Sequence, residues 1–362
     1  MNAKLTKGLA AAAISAAMML GAAAPALAKE SSNALKQTQE GNYYLTKSYT
    51  GVSDGTVSEK VKFDVTPYKV TDAKITKTSD MPQVSINETQ VESGKSNQVL
   101  LILPDSNKDG LPDFDNTGAG YYYYEVKEDE SNNAAGVKYD THTYYLKVTV
   151  GYTKNDQGAT DYTKTEVVSV SLWDKDPSTE NSGANKVAGF ENTYESGTLE
   201  VKKVLDGNLT QDTDKFTINV TFTSKKPVDS EVRYTDLEGD KHILPTEWNN
   251  EGGTYKATAR ISVKGGSTVD FKNVPDGVSY SVEEEAPGNG YEAPKYDKNK
   301  NGSLKADKDT SKADVITTVT NTKKSEVDTG VLLNNAPYIA ILGGAAVVTI
   351  YVVNKRRHSD MD

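Results

Sequence analysis

Apolar and polar residues alternate with a period of two along most of this chain. Val61-Lys62-Phe63-Asp64-Val65, Tyr144 to Val150 and Phe216 to Phe222 all read this way, and each run is rich in Val, Thr and Tyr. Side chains two apart share one face of a strand, so such runs predict half-buried strands. Gly, Asn and Asp separate them as turns, and no long stretch carries the 3.6-residue period of a helix. Many short strands between turns predict an all-β chain of two tandem Ig-like β-sandwich domains. A boundary falls near residue 196, between Phe190-Glu191-Asn192-Thr193-Tyr194 and Gly197-Thr198-Leu199-Glu200-Val201. The link is short, so the domains are expected to stand end to end with little hinge freedom.

Both ends depart from this pattern. Residues 1–28 place Lys4 and Lys7 before an alanine-rich apolar run that ends with Ala26 and Ala28, the layout of a secretory signal cleaved between Ala28 and Lys29. At the other end no residue from Ala336 to Val353 is charged, and Lys355, Arg356 and Arg357 follow. That segment is long enough to cross a bilayer, with its basic end on the cytoplasmic side. Val327-Asp328-Thr329-Gly330 lies just ahead of it. This tail resembles the cell-wall sorting signal of Gram-positive surface proteins, in which a sortase cuts between Thr and Gly. Glu326 and Val327 stand where the familiar form has Leu and Pro, which leaves the sortase class open. The expected layout is a signal at 1–28, domains at 29–196 and 197–325, a sortase motif at 326–330 and a membrane segment with basic tail at 331–362.

Charge narrows the function. The formal net charge is −10, which suits an extracellular surface and opposes nucleic-acid binding. Cysteine is absent, so an exported chain of this kind must be hardened by something other than disulfides.

An internal repeat suggests what that is. The first domain opens with Tyr43-Tyr44-Leu45-Thr46-Lys47, carries Tyr124-Glu125-Val126-Lys127-Glu128, and closes with Phe190-Glu191-Asn192-Thr193. The second opens with Leu199-Glu200-Val201-Lys202-Lys203, carries Tyr280-Ser281-Val282-Glu283-Glu284, and closes with Val319-Thr320-Asn321-Thr322. The spacing 128 − 47 equals the spacing 284 − 203, 81 residues in each case. Alternation puts Lys47 and Lys203 where the next core residue belongs, and likewise Glu128, Glu284, Asn192 and Asn321. In the second domain Lys202 and Glu283 or Glu285 compete, because a bulge would shift the choice by one.

Lysine, glutamate and asparagine buried together are costly unless they pair or react. A low-dielectric core pushes lysine toward the neutral amine and glutamate toward the acid. The amine can then attack the asparagine side-chain carbonyl while the glutamic acid polarises that carbonyl and shuttles the proton, and ammonia leaves. Each site turns over once, and no cofactor is required.

On these residues the chain resembles Gram-positive pilus backbone subunits built from streptococcal-type pilin isopeptide-linkage domains of the collagen-adhesin B-type (CnaB-type) fold. The resemblance implies autocatalytic bonds Lys47–Asn192 and Lys203–Asn321 with Glu128 and Glu284 as helpers. It further implies sortase, identical subunits and tip or basal pilins as partners, at a cell-surface pilus. A host or bacterial surface ligand is a further candidate. The family also needs a lysine that receives the Thr carbonyl of the next subunit, and Lys186, just before the closing strand, is the candidate.

Other features add less. Asp105, Asn107, Asp109 and Asp113 have the spacing of a calcium loop, with Gly110 at its sixth position, but no flanking helices; a plain acidic turn fits as well. His142, His242 and His358 are scattered. Alternation within Tyr121 to Tyr124 predicts two core rings and two outward ones. A pilus shaft subunit is the favoured reading; a monomeric wall-anchored adhesin or spacer and a secreted hydrolase are the alternatives.

Overall fold

The computed structural model describes residues 35–37, 42–51, 55–95, 97–104, 112–179, 182–244, 248–307 and 312–324. The expected signal, sortase motif and apolar tail lie outside these residues. Among the described residues no helix is long and apolar enough to cross a membrane.

The chain is all-β, and each half is built on a pair of sheets, to which the first half adds a two-stranded ladder of Ser58–Val61 and Thr89–Glu92. In the first half one sheet runs Ser85–Ile86, Asn97–Ile102, Tyr43–Thr50, Gly189–Tyr194, Val137–Lys138; the other runs Lys186–Val187, Thr160–Trp173, Tyr144–Lys154, Gly120–Glu128, Phe63–Thr71. Their inward side chains form one core that includes Leu45, Val99, Tyr122, Tyr124, Val126, Leu146, Val148 and Phe190. In the second half one sheet runs Lys241–Ile243, Arg233–Thr235, Thr268–Pro275, Ser196–Asp206, Val315–Thr322, Lys295–Tyr296. Its companion runs Asn249–Glu251, Thr254–Lys264, Lys215–Ser224, Ser279–Glu284, Asn301–Ser303. Leu199, Val201, Ile218, Val220, Phe222, Phe271, Val282 and Val319 fill the space between them.

The alternation read from sequence is the alternation of burial. Tyr43, Leu45 and Lys47 point inward from Tyr43–Thr50 and their neighbours less so. Two details differ from expectation. The run from Val61 to Val65 is not one strand, because the Asn132 side chain takes both the Lys62 N–H (3.2 Å) and its carbonyl (3.0 Å). The chain therefore leaves one ladder at Val61 and enters another at Phe63. In the tyrosine run Tyr123 is buried along with Tyr122 and Tyr124, with the Lys147 ammonium 5.7 Å from its ring.

In each half the opening strand lies beside the closing strand, and the two run parallel. Lys47 is opposite Phe190 and Tyr49 opposite Asn192; Lys203 is opposite Val319 and Leu205 opposite Asn321. Lysine and asparagine thus keep the same two-residue diagonal offset in both halves.

Glu195 alone separates the closing strand of the first half from the opening strand of the second. Around it the halves are tied together. Asn273 is almost fully buried and holds a positive φ of 59°. Its Oδ1 accepts from the Tyr194 hydroxyl (2.8 Å), and its Nδ2 donates to the carbonyls of Thr56 (2.9 Å) and Glu231 (3.2 Å). Val57 bridges to Ser230, and the Ala135 N–H donates to the Pro227 carbonyl at 2.8 Å. A buried acceptor stripped of its donor costs about 1–3 kcal/mol. Tyr194→Phe is therefore expected to speed hydrogen exchange of the Ser58 and Ala135 amides about tenfold to a hundredfold, with little change in the strands far from the junction.

Candidate functional site

In the first half the opening, closing and Gly120–Glu128 strands converge on Lys47, Asn192 and Glu128. Lys47 and Asn192 are fully buried, and Glu128 is 8% exposed at the end of its strand. Lys47 Nζ forms an ion pair with Glu128 Oε1. Asn192 Oδ1 accepts from the backbone N–H of Asp140 at 2.9 Å, while its Nδ2 makes no well-formed hydrogen bond. Burial pushes the Lys47 ammonium below its ordinary pKa, opposed by the Glu128 charge. Burial likewise pushes the Glu128 carboxyl up, opposed by Lys47. Both groups move toward the neutral forms that amide formation requires.

The second half repeats the arrangement with one change. Lys203 and Asn321 are fully buried, and Glu284 is 6% exposed. Lys203 Nζ lies 3.0 Å from Glu284 Oε2 and donates to the Val319 carbonyl at 3.3 Å. The Phe216 ring centroid is 4.5 Å from that nitrogen, and burial lowers the lysine pKa. Here Asn321 Nδ2 donates to Glu284 Oε1 at 2.5 Å, and Oδ1 has no hydrogen-bond partner among the described residues. The carboxylate thus sits at the asparagine nitrogen, not at the carbonyl oxygen where the sequence argument put it. The competing residues point elsewhere: Lys202 is exposed, Glu283 faces Lys300 at 3.7 Å, and Glu285 pairs with Arg260 at 2.8 Å.

Sequence reasoning missed a neighbouring carboxyl. Glu59 is 4% exposed and accepts from the Tyr49 hydroxyl at 2.6 Å and from the Tyr139 hydroxyl. Burial raises its pKa, against the pull of those two donors. The signal was present, since Glu59 shares a strand face with buried Val57 and Val61. Asp140 was missed as well. Its carboxylate accepts from the His142 N–H (3.0 Å) and the Tyr144 hydroxyl (2.8 Å), and it touches His142 Nδ1 at 2.6 Å. Burial would raise its pKa, but these donors hold it below the ordinary range.

The remaining sequence candidates are dispersed. Lys186 lies on a short edge strand paired with Leu172 and Trp173, its ammonium 5.6 Å from the Trp173 ring. Asp105, Asn107 and Asp109 lie outside the described residues. Asp113 caps the single-turn helix Phe114–Thr117, accepting from the Asn116 N–H at 2.7 Å. Thr329, Gly330, Ala28 and Lys29 are also outside them. His142 and His242 belong to different halves; His242 contacts Asp236 and stacks on Tyr234. No group of three metal-ligating side chains occurs among the described residues.

Residues 43–195 match the family described as the Spy0128-like isopeptide containing domain, and residues 197–323 match a domain family of unknown function. The chain is 28% identical over 256 residues to a pilin of Streptococcus pyogenes serotype M1, which spans 66% of this chain and 68% of that one. Among solved structures it is similar to the major pilin from Streptococcus pyogenes, at 19% identity and a TM-score of 0.43, over 78% of this chain and 99% of that one. A second similar structure is the T3.2 major pilin of the same species, at 19% identity and a TM-score of 0.41, over 81% and 100% of the two chains.

Proposed function

We propose, for a chain that belongs through residues 43–195 to the Spy0128-like isopeptide domains and is a streptococcal-type pilin subunit, that it is the repeating unit of a covalent extracellular fibre. The observation that carries this reading is the doubled constellation of buried lysine, glutamate and asparagine. Each set lies where the opening and closing strands of its half run side by side.

In the proposed chemistry the amines of Lys47 and Lys203, their pKa lowered by burial, attack Cγ of Asn192 and Asn321 once each has given up its extra proton. Glu128 and Glu284 take the proton released by the attacking amine and deliver it to Nδ2. The Cγ–Nδ2 bond then breaks and ammonia departs. Packing makes the step effectively unimolecular, since neither partner can leave. A buried ion pair is replaced by a neutral amide, which does in a cysteine-free exported chain what a disulfide does elsewhere.

The proposal continues beyond the described residues. The signal is removed after Ala28, and the apolar segment holds the precursor in the membrane. Sortase cuts between Thr329 and Gly330 and passes the Thr329 carbonyl to Lys186 of the next subunit. The exposed sheet edge that carries Lys186 supports this choice, because an edge strand can accept an incoming extended segment. Calcium bound by Asp105, Asn107, Asp109 and Asp113 would stiffen that loop without taking part in the chemistry.

Co-expression of the full chain with its sortase in a Gram-positive host is expected to give a detergent-resistant ladder in wall extracts. Lys186→Arg is expected to collapse the ladder to single wall-linked subunits. A ladder that survives the substitution would move the acceptor to another lysine. A wild-type chain that yields only single wall-linked subunits would overturn the shaft reading.

A further inference from the structure

The two sites differ at the asparagine oxygen. In the second half Oδ1 of Asn321 has no partner among the described residues, and the helper carboxylate holds Nδ2. In the first half the oxygen is the end that is held: Asn192 Oδ1 accepts the Asp140 N–H at 2.9 Å. When an amine attacks a carboxamide, negative charge gathers on that oxygen, and a fixed donor aimed at it stabilises the transition state.

We infer that the Asp140 backbone N–H is the oxyanion donor for Lys47–Asn192 bond formation, and that the Asp140 carboxylate is a positioning residue that fixes the turn presenting it. The inference rests on the crosslinking chemistry proposed above. In the step itself Lys47 Nζ bonds to Asn192 Cγ and the carbonyl electron pair moves onto Oδ1 under the Asp140 N–H. The pair returns as Cγ–Nδ2 breaks, and the amine proton leaves with ammonia through Glu128.

The turn is built for this role. The Asp140 side chain is 5% exposed. Its Oδ1 accepts the His142 N–H two residues on, and its Oδ2 accepts the Tyr144 hydroxyl, with the Glu191 N–H at 3.5 Å. Glu191 directly precedes Asn192, so one carboxylate ties the donor's turn to the strand that carries the acceptor. On the other side Tyr139 is held by Glu59, and its hydroxyl accepts the Ala134 N–H at 2.8 Å. The N–H is therefore fixed before any charge develops, as electrostatic preorganisation requires.

The test follows both crosslinks during cell-free synthesis of the full chain. Samples are quenched in acid denaturant at intervals and digested, and each crosslinked peptide is quantified by mass spectrometry. Asp140→Pro removes the N–H and is expected to slow the Lys47–Asn192 bond about a hundredfold, with the Lys203–Asn321 bond as an unaffected internal clock. Asp140→Ala keeps the N–H but loosens its turn, and is expected to slow the same bond about tenfold. Asp140→Asn, which retains an acceptor for the His142 N–H, should recover most of that loss; a purely structural role would not separate Ala from Asn while domain 1 stays protease-resistant. A folded Asp140→Pro chain that closes the first bond at the wild-type rate overturns the inference and leaves the chemistry intact. If Asp140→Pro does not fold, an unchanged rate in Asp140→Ala overturns it instead. A wild-type chain that forms neither bond overturns the underlying chemistry and the inference with it.

Discussion

The intact mass of the folded chain is expected to fall short of its sequence mass by two ammonia molecules, one for each half. Both lysines are fully buried beside a glutamate and an asparagine, and burial moves Lys47 and Lys203 toward the nucleophilic amine. The partners are held in reach by strand pairing, so no encounter step limits the reaction. The deficit divides by residue. Glu128→Ala should restore one ammonia and leave the crosslinked peptide of the second half in place, and Glu284→Ala should do the converse. A folded wild-type chain with its full sequence mass would remove the chemistry and leave two buried ion pairs with no evident purpose. Peptide mapping then distinguishes Lys203 from Lys202 as the bonded residue.

The second large effect is on stability, and Asn321→Ala measures it most directly. That substitution removes the bond but leaves the Lys203–Glu284 pair in place, so it does not strand a buried charge. The loop closed between residues 203 and 321 is slightly longer than a hundred residues, for which a covalent crosslink contributes about 4–5 kcal/mol by restricting the unfolded chain. The second half is expected to melt lower by on the order of 15 °C and to become sensitive to trypsin. Glu284→Ala should cost more. It loses the same bond and also leaves Lys203 in the core without its counter-ion, where breaking a buried pair costs about 3–5 kcal/mol. The depressed lysine pKa limits that extra cost, because the stranded amine can shed its proton. Calorimetry of the two variants beside the wild type gives the ranking. Equal melting of Asn321→Ala and the wild type, with the bond shown to be lost, would sink the stabilising role.

Much of this site could be read in the sequence because its side chains obey the same alternation as the core around them. Lys47 follows Tyr43 and Leu45, and Asn321 follows Val319, at intervals of two, so a polar residue at a core position was conspicuous. The choice between Lys203 and Lys202 came down to whether a bulge intervened. None falls near Lys203, since the irregularity in that strand lies between Gly197 and Leu199, ahead of the residues that matter. What the sequence hid was carried by the backbone. The Asp140 N–H has no residue-type signature, and its aim depends on a turn tied to His142, Tyr144 and Glu191. The break at Lys62 depends on Asn132, seventy residues away, and the junction depends on Asn273 reaching into the other half. Glu59 could have been found, because Val57, Glu59 and Val61 alternate; the tyrosines that make it tolerable are distant in sequence and became neighbours only on folding.

The single-residue link at Glu195 bears on how tension would travel through a fibre joined at Lys186 and Thr329. A pull entering at Lys186 runs along the closing strand, through Glu195, and up the next opening strand to Lys203. From there a Lys203–Asn321 amide would hand it directly to the closing strand Val315–Thr322. The taut part of each subunit is then residues 186–203 and 321–329, already extended where the strands are described, and the sequence between 203 and 321 hangs slack beside it. On this route the two amides are not equivalent. The second would carry the load, whereas the first would branch from the loaded segment at Asn192 and clamp Lys47 of the neighbouring opening strand to it. A fibre of such units would be a chain of nearly inextensible links, with no hidden length to release when flow tugs on the cell.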